Sequence, residues 1–287
     1  MSIQIVCDSS ANILASQDKF YTTVPMKIIA GDREFVDTPE LNLQEMVDFL
    51  REHKGKSGSS CPNVQDWLNA FGESQEVFGI TITKHLSGSY NSGHQACLTH
   101  MEEHPGAKAF IIDSLSTGPE MMMIVDKIRQ LEAEGLGYDA IKEQVLEYAN
   151  HNHTLFCLQS MNNLARNGRV HPAVAKIAGM LNIRVVGDVK GGEITPVHKP
   201  RGDKKAIQAM VEMMTERGLQ DGNLVRIAHC YGETTANALV AAVKEQYPNC
   251  RFIIEPTTAL CSFYAEAGGL IIGFEGSLNE KNDNRKY

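Results

Sequence analysis

The first 150 residues alternate short β-prone runs with stretches of helical periodicity, and this alternation restricts the possible folds more than any other feature. Strands are predicted at Ile3–Cys7, Val77–Thr83 and Ala107–Ile112, and helices at Leu43–Glu52, Val64–Phe71, Asn91–Glu103 and Glu120–Glu134. Such alternation is typical of a mostly parallel sheet covered by helices on both faces. We therefore predict an α/β fold that begins with a three-layer α/β/α domain.

The second half of the chain has a different pattern. Runs at Ile183–Val189 and Glu193–His198 flank Lys190-Gly191-Gly192 and predict a β-hairpin, which requires antiparallel pairing and so a mixed sheet. The further predicted elements are helices at Lys204–Arg217 and Thr234–Gln246 and strands at Leu224–Cys230, Arg251–Glu255 and Gly269–Phe274. The change of pattern near Asn150–Thr154 predicts two domains, 1–152 and 153–276, followed by a polar tail at 277–287.

Hydroxyl-rich turns are the most informative local feature. Asp8-Ser9-Ser10 and Asp113-Ser114 follow predicted strands, which places them at the carboxyl edge of the sheet, where open α/β sheets bind ligands. Ser57–Asn63 and Leu86–Ser89 each precede a predicted helix. Serine hydroxyls and helix N-termini together can hold a carboxylate or a phosphate, although any one of these serines taken alone is better explained as a helix cap.

Charge and motifs exclude several classes of function. The 35 acidic and 27 basic residues give a net charge of −8, which disfavours a nucleic acid or an anionic membrane as partner. The sequence has neither a signal-peptide pattern nor an apolar run long enough to span a membrane, so we expect a cytoplasmic protein without membrane insertion. It also lacks the glycine-rich motifs that bind dinucleotides or NTP phosphates, and we expect no cofactor and no metal site.

An ordered series of motifs resembles the DegV family from about Ile3 to Phe274. The motifs are Asp8-Ser9-Ser10, Val24-Pro25-Met26, Phe35-Val36-Asp37, Ser59-Ser60-Cys61-Pro62-Asn63, Ile80-Thr81-Ile82, Leu86-Ser87-Gly88-Ser89, Ile112-Asp113-Ser114 and Leu164-Ala165-Arg166-Asn167-Gly168-Arg169-Val170. Each motif alone is weak, but their order and spacing are specific.

The resemblance implies a protein that binds a long-chain fatty acid in an internal tunnel. Such a protein presents the carboxylate to a separate ATP-dependent fatty acid kinase subunit, which forms an acyl phosphate for phospholipid synthesis. It also implies a DegV-like architecture, in which the α/β/α domain is followed by a two-layer α/β domain with a mixed sheet. The bound fatty acid would be the ligand, and the chain itself would not be an enzyme.

The same resemblance assigns the site residues. The family holds the carboxylate by hydroxyls that match Ser59 and Ser87, and the fatty-acid site is predicted to comprise Ser59, Ser60, Ser87, Gly88, Ser89 and Tyr264. Arg169 matches the arginine of the segment that faces the kinase. One departure concerns Tyr264–Gly268, which stands where the family usually has His-Thr-Gly-Pro-Gly.

Two other hypotheses remain open from the residues. A serine-dependent hydrolase or acyltransferase would use Ser87 or Ser59 as nucleophile, with His85 or His229 as the base. Alternatively, the fold binds a different anionic small molecule, and the altered Tyr264–Gly268 segment reflects that change.

Overall fold

The computed structural model describes residues 2–14, 18–178 and 180–277. Its strands, in chain order, are β1 Gln4–Asp8, β2 Tyr21–Val24, β3 Lys27–Ala30, β4 Arg33–Val36, β5 Ser57–Ser60, β6 Glu76–Thr81, β7 Lys108–Asp113, β8 Asn152–Leu158, β9 Val185–Lys190, β10 Glu193–His198, β11 Leu224–His229, β12 Arg251–Pro256 and β13 Leu270–Glu275. Its α-helices are α1 Leu43–Glu52, α2 Val64–Phe71, α3 Ser89–Glu103, α4 Pro119–Ala133, α5 Tyr138–Asn150, α6 Asn162–Arg166, α7 Pro172–Ala178, α8 Asp203–Glu216, α9 Glu233–Gln246 and α10 Ala259–Ala265. A short 3-10 helix, Ser9–Ala11, follows β1.

The first sheet is parallel, with strand order β2-β1-β6-β7. Because side chains alternate across a strand, Val6 packs with Trp67 and Phe71 of α2 on one face, whereas Ile5 packs with residues of α4 and α5 on the other. Helices therefore cover both faces, and the predicted three-layer arrangement is confirmed. Edge strand β2 was not predicted from the sequence.

The larger sheet is mixed, in the order β10-β9-β8-β13-β11-β12. Its strands pair antiparallel except for β11 and β12, which are parallel, and the predicted hairpin is present as β9 and β10. Helices α8 and α9 pack against one face. The other face turns toward α6, α10 and the start of α4. The mixed sheet begins with β8 at Asn152, and the domain division at 152 stays a prediction.

A third, three-stranded sheet corrects one expectation. Ser57–Ser60 was predicted to be part of a turn, but it forms β5, which pairs antiparallel with β3 so that Ser59 lies opposite Ile28. Serine and glycine have low strand propensity, and the pairing with β3 overrides it. Asn63 then caps α2 through a reciprocal bond with Asp66.

None of the helices in the described ranges is both long enough and apolar enough to cross a bilayer.

Candidate functional site

A cavity lies where the carboxyl edge of the parallel sheet, the small sheet and one face of the mixed sheet meet. It encloses about 800 Å³, including the part that is open to solvent. The lining residues are Met26, Ser59, Ile82, Leu86, Ser87, Ser116, Thr117, Thr154, Phe156, Leu158, Leu164, Arg169, Val189, Ile194, Leu260, Cys261, Tyr264, Ala265 and Ile271. A mainly apolar wall with a few polar groups is typical of small-molecule sites.

Ser59 reaches the cavity from β5, and its partner comes from a distant part of the chain. The Ser59 hydroxyl lies 2.7 Å from the phenol oxygen of Tyr264, which is in the last turn of α10. Burial raises the pKa of Tyr264, so the phenol is neutral and can donate its proton. When the phenol donates to Ser59, the Ser59 hydroxyl is free to donate into the cavity.

Ser87 lies in the turn between β6 and α3. Its Oγ accepts a hydrogen bond of 3.2 Å from the backbone N–H of Ser89. Because this bond occupies a lone pair of the oxygen and not its proton, the Ser87 hydroxyl can also donate to a ligand.

A buried carboxylate holds this turn in place. The hydroxyl of Ser89 donates to Asp8 Oδ2 at 2.6 Å, and the backbone N–H of Ile82 donates to the same oxygen at 3.0 Å. Asp8 is fully buried at the end of β1, and Ser10 donates to its other oxygen through both N–H and hydroxyl. Burial raises the pKa of Asp8 to about 6, while these hydrogen bonds act in the opposite direction.

Arg169 is the charged residue among the described residues of the cavity wall. It is half-buried, and its guanidinium donates to the backbone carbonyls of Leu86 and Asn167 at 3.3 and 2.8 Å. It also lies 5.3 Å from the centre of the Tyr264 ring. Arg169 was predicted to face a kinase, but the structure places it beside both serine-bearing segments. Its role in partner binding stays a prediction.

The predicted fatty-acid residues fall into two groups. Ser59, Ser87 and Tyr264 share the cavity wall, whereas Ser60, Gly88 and Ser89 are not among its described lining residues. Ser60 follows Ser59 on a strand, so its side chain points to the opposite face. Gly88 faces the thiol of Cys61, and the Ser89 hydroxyl donates its hydrogen bond to Asp8.

Several lining residues were missed. Ser116 and Thr117 follow β7, directly after the Asp113-Ser114 turn that the sequence places at the ligand-binding edge, so a signal for them existed. Thr154 belongs to β8, which was not predicted because its first residues are polar. On this strand Thr154 and Phe156 face the cavity because every second residue lies on the same face.

The arrangement suits an anion with an apolar tail. Two hydroxyls that can donate protons, Ser59 and Ser87, and one guanidinium, Arg169, lie in a wall that is otherwise mainly aliphatic and aromatic. Charge-assisted hydrogen bonds to a carboxylate are stronger than neutral ones, especially away from bulk water.

The hydrolase hypothesis requires a histidine beside a serine. In the described part of the chain, no histidine hydrogen-bonds to Ser59 or Ser87. The His85 ring instead faces Glu193 at 3.9 Å, and His229 Nδ1 is buried without a partner. No three His, Cys, Asp or Glu side chains of the described ranges are grouped so as to hold a metal ion.

Comparison with known proteins gives consistent matches over nearly the whole chain. Residues 2–275 match the model of a family described as uncharacterised proteins of the DegV family. A DegV domain-containing protein of Streptococcus gordonii is 36% identical over 280 residues, which cover 96% of this chain and 99% of the relative. A DegV domain-containing protein of Streptococcus pneumoniae is 36% identical over 256 residues, covering 89% and 91%.

Two solved structures are closely similar. A DegV family protein from Eubacterium eligens, loaded with heptadecanoic acid, has a TM-score of 0.93 at 35% identity. The fatty acid kinase B3 protein of Streptococcus pneumoniae, loaded with linoleic acid, has a TM-score of 0.93 at 34% identity. Each comparison covers 96% of this chain and 100% of the solved chain.

Proposed function

This chain belongs to the DegV family, and on that premise we propose that it binds a long-chain fatty acid in the cavity, with the carboxylate on Ser59 and Ser87. The proposal rests on one observation. The Ser87 oxygen accepts from the backbone N–H of Ser89, and the Ser59 oxygen can accept from the phenol of Tyr264, so both hydroxyl protons can be donated to an anion. Two relatives with TM-scores of 0.93 were solved with fatty acids bound, which supports the same ligand class.

The apolar wall supplies the affinity. Burying an acyl chain contributes roughly 0.8 kcal/mol per CH₂, or on the order of 10 kcal/mol for sixteen carbons before the cost of association is subtracted. Phe156 and Leu158 of β8, Leu260 of α10 and Ile271 of β13 present aliphatic and aromatic surface to such a chain. We expect freshly purified protein to retain an acyl ligand.

We further propose that the bound carboxylate is presented to a separate ATP-dependent fatty acid kinase subunit. The chain lacks the glycine-rich motifs that cradle NTP phosphates, so the phosphoryl donor would be held by another protein. The name of the pneumococcal relative, a fatty acid kinase B protein, supports this partnership. Arg169 would lie near the reacting carboxylate, at the end of the cavity formed with Ser59 and Ser87.

Native mass spectrometry combined with two serine variants tests ligand binding. Ser87→Ala removes a charge-assisted hydrogen bond, and we expect affinity for hexadecanoic acid to fall about 10- to 100-fold. Ser60→Ala is the matched control, because Ser60 is not a described lining residue, and its affinity should equal that of wild type. Equal affinity of Ser87→Ala and wild type, or a purified protein that retains an anion without an acyl chain, would contradict the proposal.

Arg169 is tested by two measurements on the same variants. We expect Arg169→Ala to lower fatty-acid occupancy and to slow acyl-phosphate formation when a kinase subunit and ATP are supplied. Arg169→Lys keeps the charge but cannot form the same pair of bonds to the carbonyls of Leu86 and Asn167, so it should rescue only part of the loss. Unchanged occupancy with slowed acyl-phosphate formation would assign Arg169 to the partner alone, as the sequence predicts.

A further inference from the structure

Ser116 places an unused hydroxyl in the cavity wall. The residue is fully buried and lines the cavity, and its Oγ has no hydrogen-bond partner among the described residues. Its backbone is held on both sides, because its N–H donates to Ser114 Oγ at 3.1 Å and its carbonyl accepts from Thr83 N–H at 3.0 Å. A buried hydroxyl without a hydrogen-bond partner is unfavourable. A ligand with an oxygen that forms a hydrogen bond to Ser116 would therefore bind more tightly.

A second wall hydroxyl is provided by Thr154 on β8. Thr154 is buried and lines the cavity on the same strand face as Leu158, four residues or about 13 Å away. Leu158 belongs to the apolar cluster against which Tyr264 packs, whereas the Thr154 side chain is bonded to Glu120 of α4. The Thr154 hydroxyl donates to Glu120 Oε2 at 2.7 Å, which leaves only its lone pairs for a ligand.

The hydrogen-bonding capacity of Ser116 and Thr154 determines which oxygen-containing substituents of an acyl chain the cavity can bind. Because its proton is donated to Glu120, Thr154 can only accept from a ligand, so it would bind a hydroxyl but not a carbonyl. The buried Glu120 carboxylate beside it would repel a second carboxylate at the far end of the chain. Ser116 can donate as well as accept. A neutral hydroxyl is thus the chain substituent that both positions can bind.

Building on the proposed function, we propose that the cavity accepts long-chain fatty acids that carry a hydroxyl on the acyl chain, with that hydroxyl bonded to Ser116. A chain hydroxyl buried in a wholly apolar tunnel would lose its bonds to water without replacement, which strongly weakens binding. Ser116 provides the replacement.

Competition binding on delipidated protein tests this inference. Octadecanoic acid is compared with its 3-, 10- and 12-hydroxy derivatives in wild type, Ser116→Ala and Ser262→Ala. Ser262 is the control because it is a buried serine outside the described lining, with its hydroxyl bonded to Thr257. We expect at least one hydroxy acid to bind wild type within about tenfold of octadecanoic acid, and Ser116→Ala to weaken that acid alone by about tenfold. Ser262→Ala should leave the ratio of the two affinities unchanged.

Three results would overturn the inference. In the first, every hydroxy isomer binds wild type more than about a hundredfold more weakly than octadecanoic acid, as expected of an apolar tunnel. In the second, Ser116→Ala weakens octadecanoic acid and the hydroxy acid equally, or weakens neither. The third is failure of wild type to bind octadecanoic acid at all, which would refute the proposed function itself and so is distinguishable from the first two.

Discussion

Asp8 organises the residues at the proposed carboxylate end although it does not line the cavity. Its two oxygens accept hydrogen bonds from Ser10, Ile82 and Ser89, which join the end of β1 to the turn that bears Ser87. Ser89 in turn fixes the Ser87 oxygen through its backbone N–H. The position of the Ser87 hydroxyl, which is proposed to bind the ligand, therefore depends on a carboxylate 79 residues earlier in the sequence.

Asp8 should titrate well above an ordinary aspartate. Burial raises its pKa from 3.8 to about 6, and a carbon-detected NMR titration of wild type against Asp8→Asn would identify the signal. Since the folded pKa exceeds the unfolded one, the stability that Asp8 contributes is fully present below about pH 4 and is lost as the pH rises through about 6. The free energy of unfolding of wild type relative to Asp8→Asn should fall across that window and be constant above it. A midpoint at or below 4 would contradict this prediction.

Helix α10 depends on a second buried carboxylate. Asp37 Oδ1 accepts from the backbone N–H of Ala259 at 2.8 Å, and Oδ2 accepts from that of Leu260 at 3.1 Å. These N–H groups belong to the first turn of α10 and have no partner within the helix. Because Tyr264 is in the last turn of the same helix, Asp37 also fixes the partner of Ser59.

Asp37→Asn should destabilise the protein and weaken ligand binding together. An asparagine has one acceptor oxygen, so its NH₂ would face one of the two N–H donors, and we expect a loss of about 1–3 kcal/mol in the free energy of unfolding. Asp139→Asn is the control, because Asp139 lies in the first turn of α5 but is exposed and pairs only at the surface with Lys108. Urea unfolding and hexadecanoic acid affinity are the measurements. A stable Asp37→Asn variant with wild-type affinity would show that α10 does not need this carboxylate.

The cavity joins the three sheets, so an occupant should stabilise the whole molecule. Its wall includes β5 of the small sheet, the turns after β6 and β7 of the parallel sheet, and strands β8, β9, β10 and β13 of the mixed sheet. A ligand that binds only the folded state raises the free energy of unfolding by about 2.7 kcal/mol at a hundred times its Kd. The gain is shared by every element that contacts the ligand.

Removal of bound lipid should therefore lower the Tm of the entire protein. Adding hexadecanoic acid to delipidated protein at about a hundred times its Kd should raise Tm by roughly 5 °C or more, measured by scanning calorimetry. The control ligand is methyl hexadecanoate at the same concentration. It has the same chain but no carboxylate, so it should bind more weakly and give a smaller shift in Tm. Equal shifts for acid and ester would contradict recognition of the carboxylate by Ser59 and Ser87.

The local pattern of the chain determined its fold class. Periodicity predicted α1 and α2 with their observed bounds, and the Gly191-Gly192 turn predicted the hairpin that makes the second sheet mixed. Both signals arise within about ten residues, because amphipathic periodicity and turn chemistry depend on neighbours in the sequence. The Leu86–Ser89 turn is also a local sequence signal. Ser87 was predicted as a site residue from this turn and from the family motif.

Tertiary structure decided how the site is assembled. The Ser59 hydroxyl is hydrogen-bonded to Tyr264, which is 205 residues away in the sequence. The Ser89 hydroxyl donates to Asp8, which is 81 residues away. The Ser57–Ser60 segment has the composition of a turn, and it is a strand only because β3 supplies the backbone hydrogen bonds along its edge. Arg169 lies in the cavity wall because the carbonyl of Leu86, 83 residues away, accepts from its guanidinium. Such contacts leave no periodic trace in the sequence, since their partners become neighbours only when the sheets pack together.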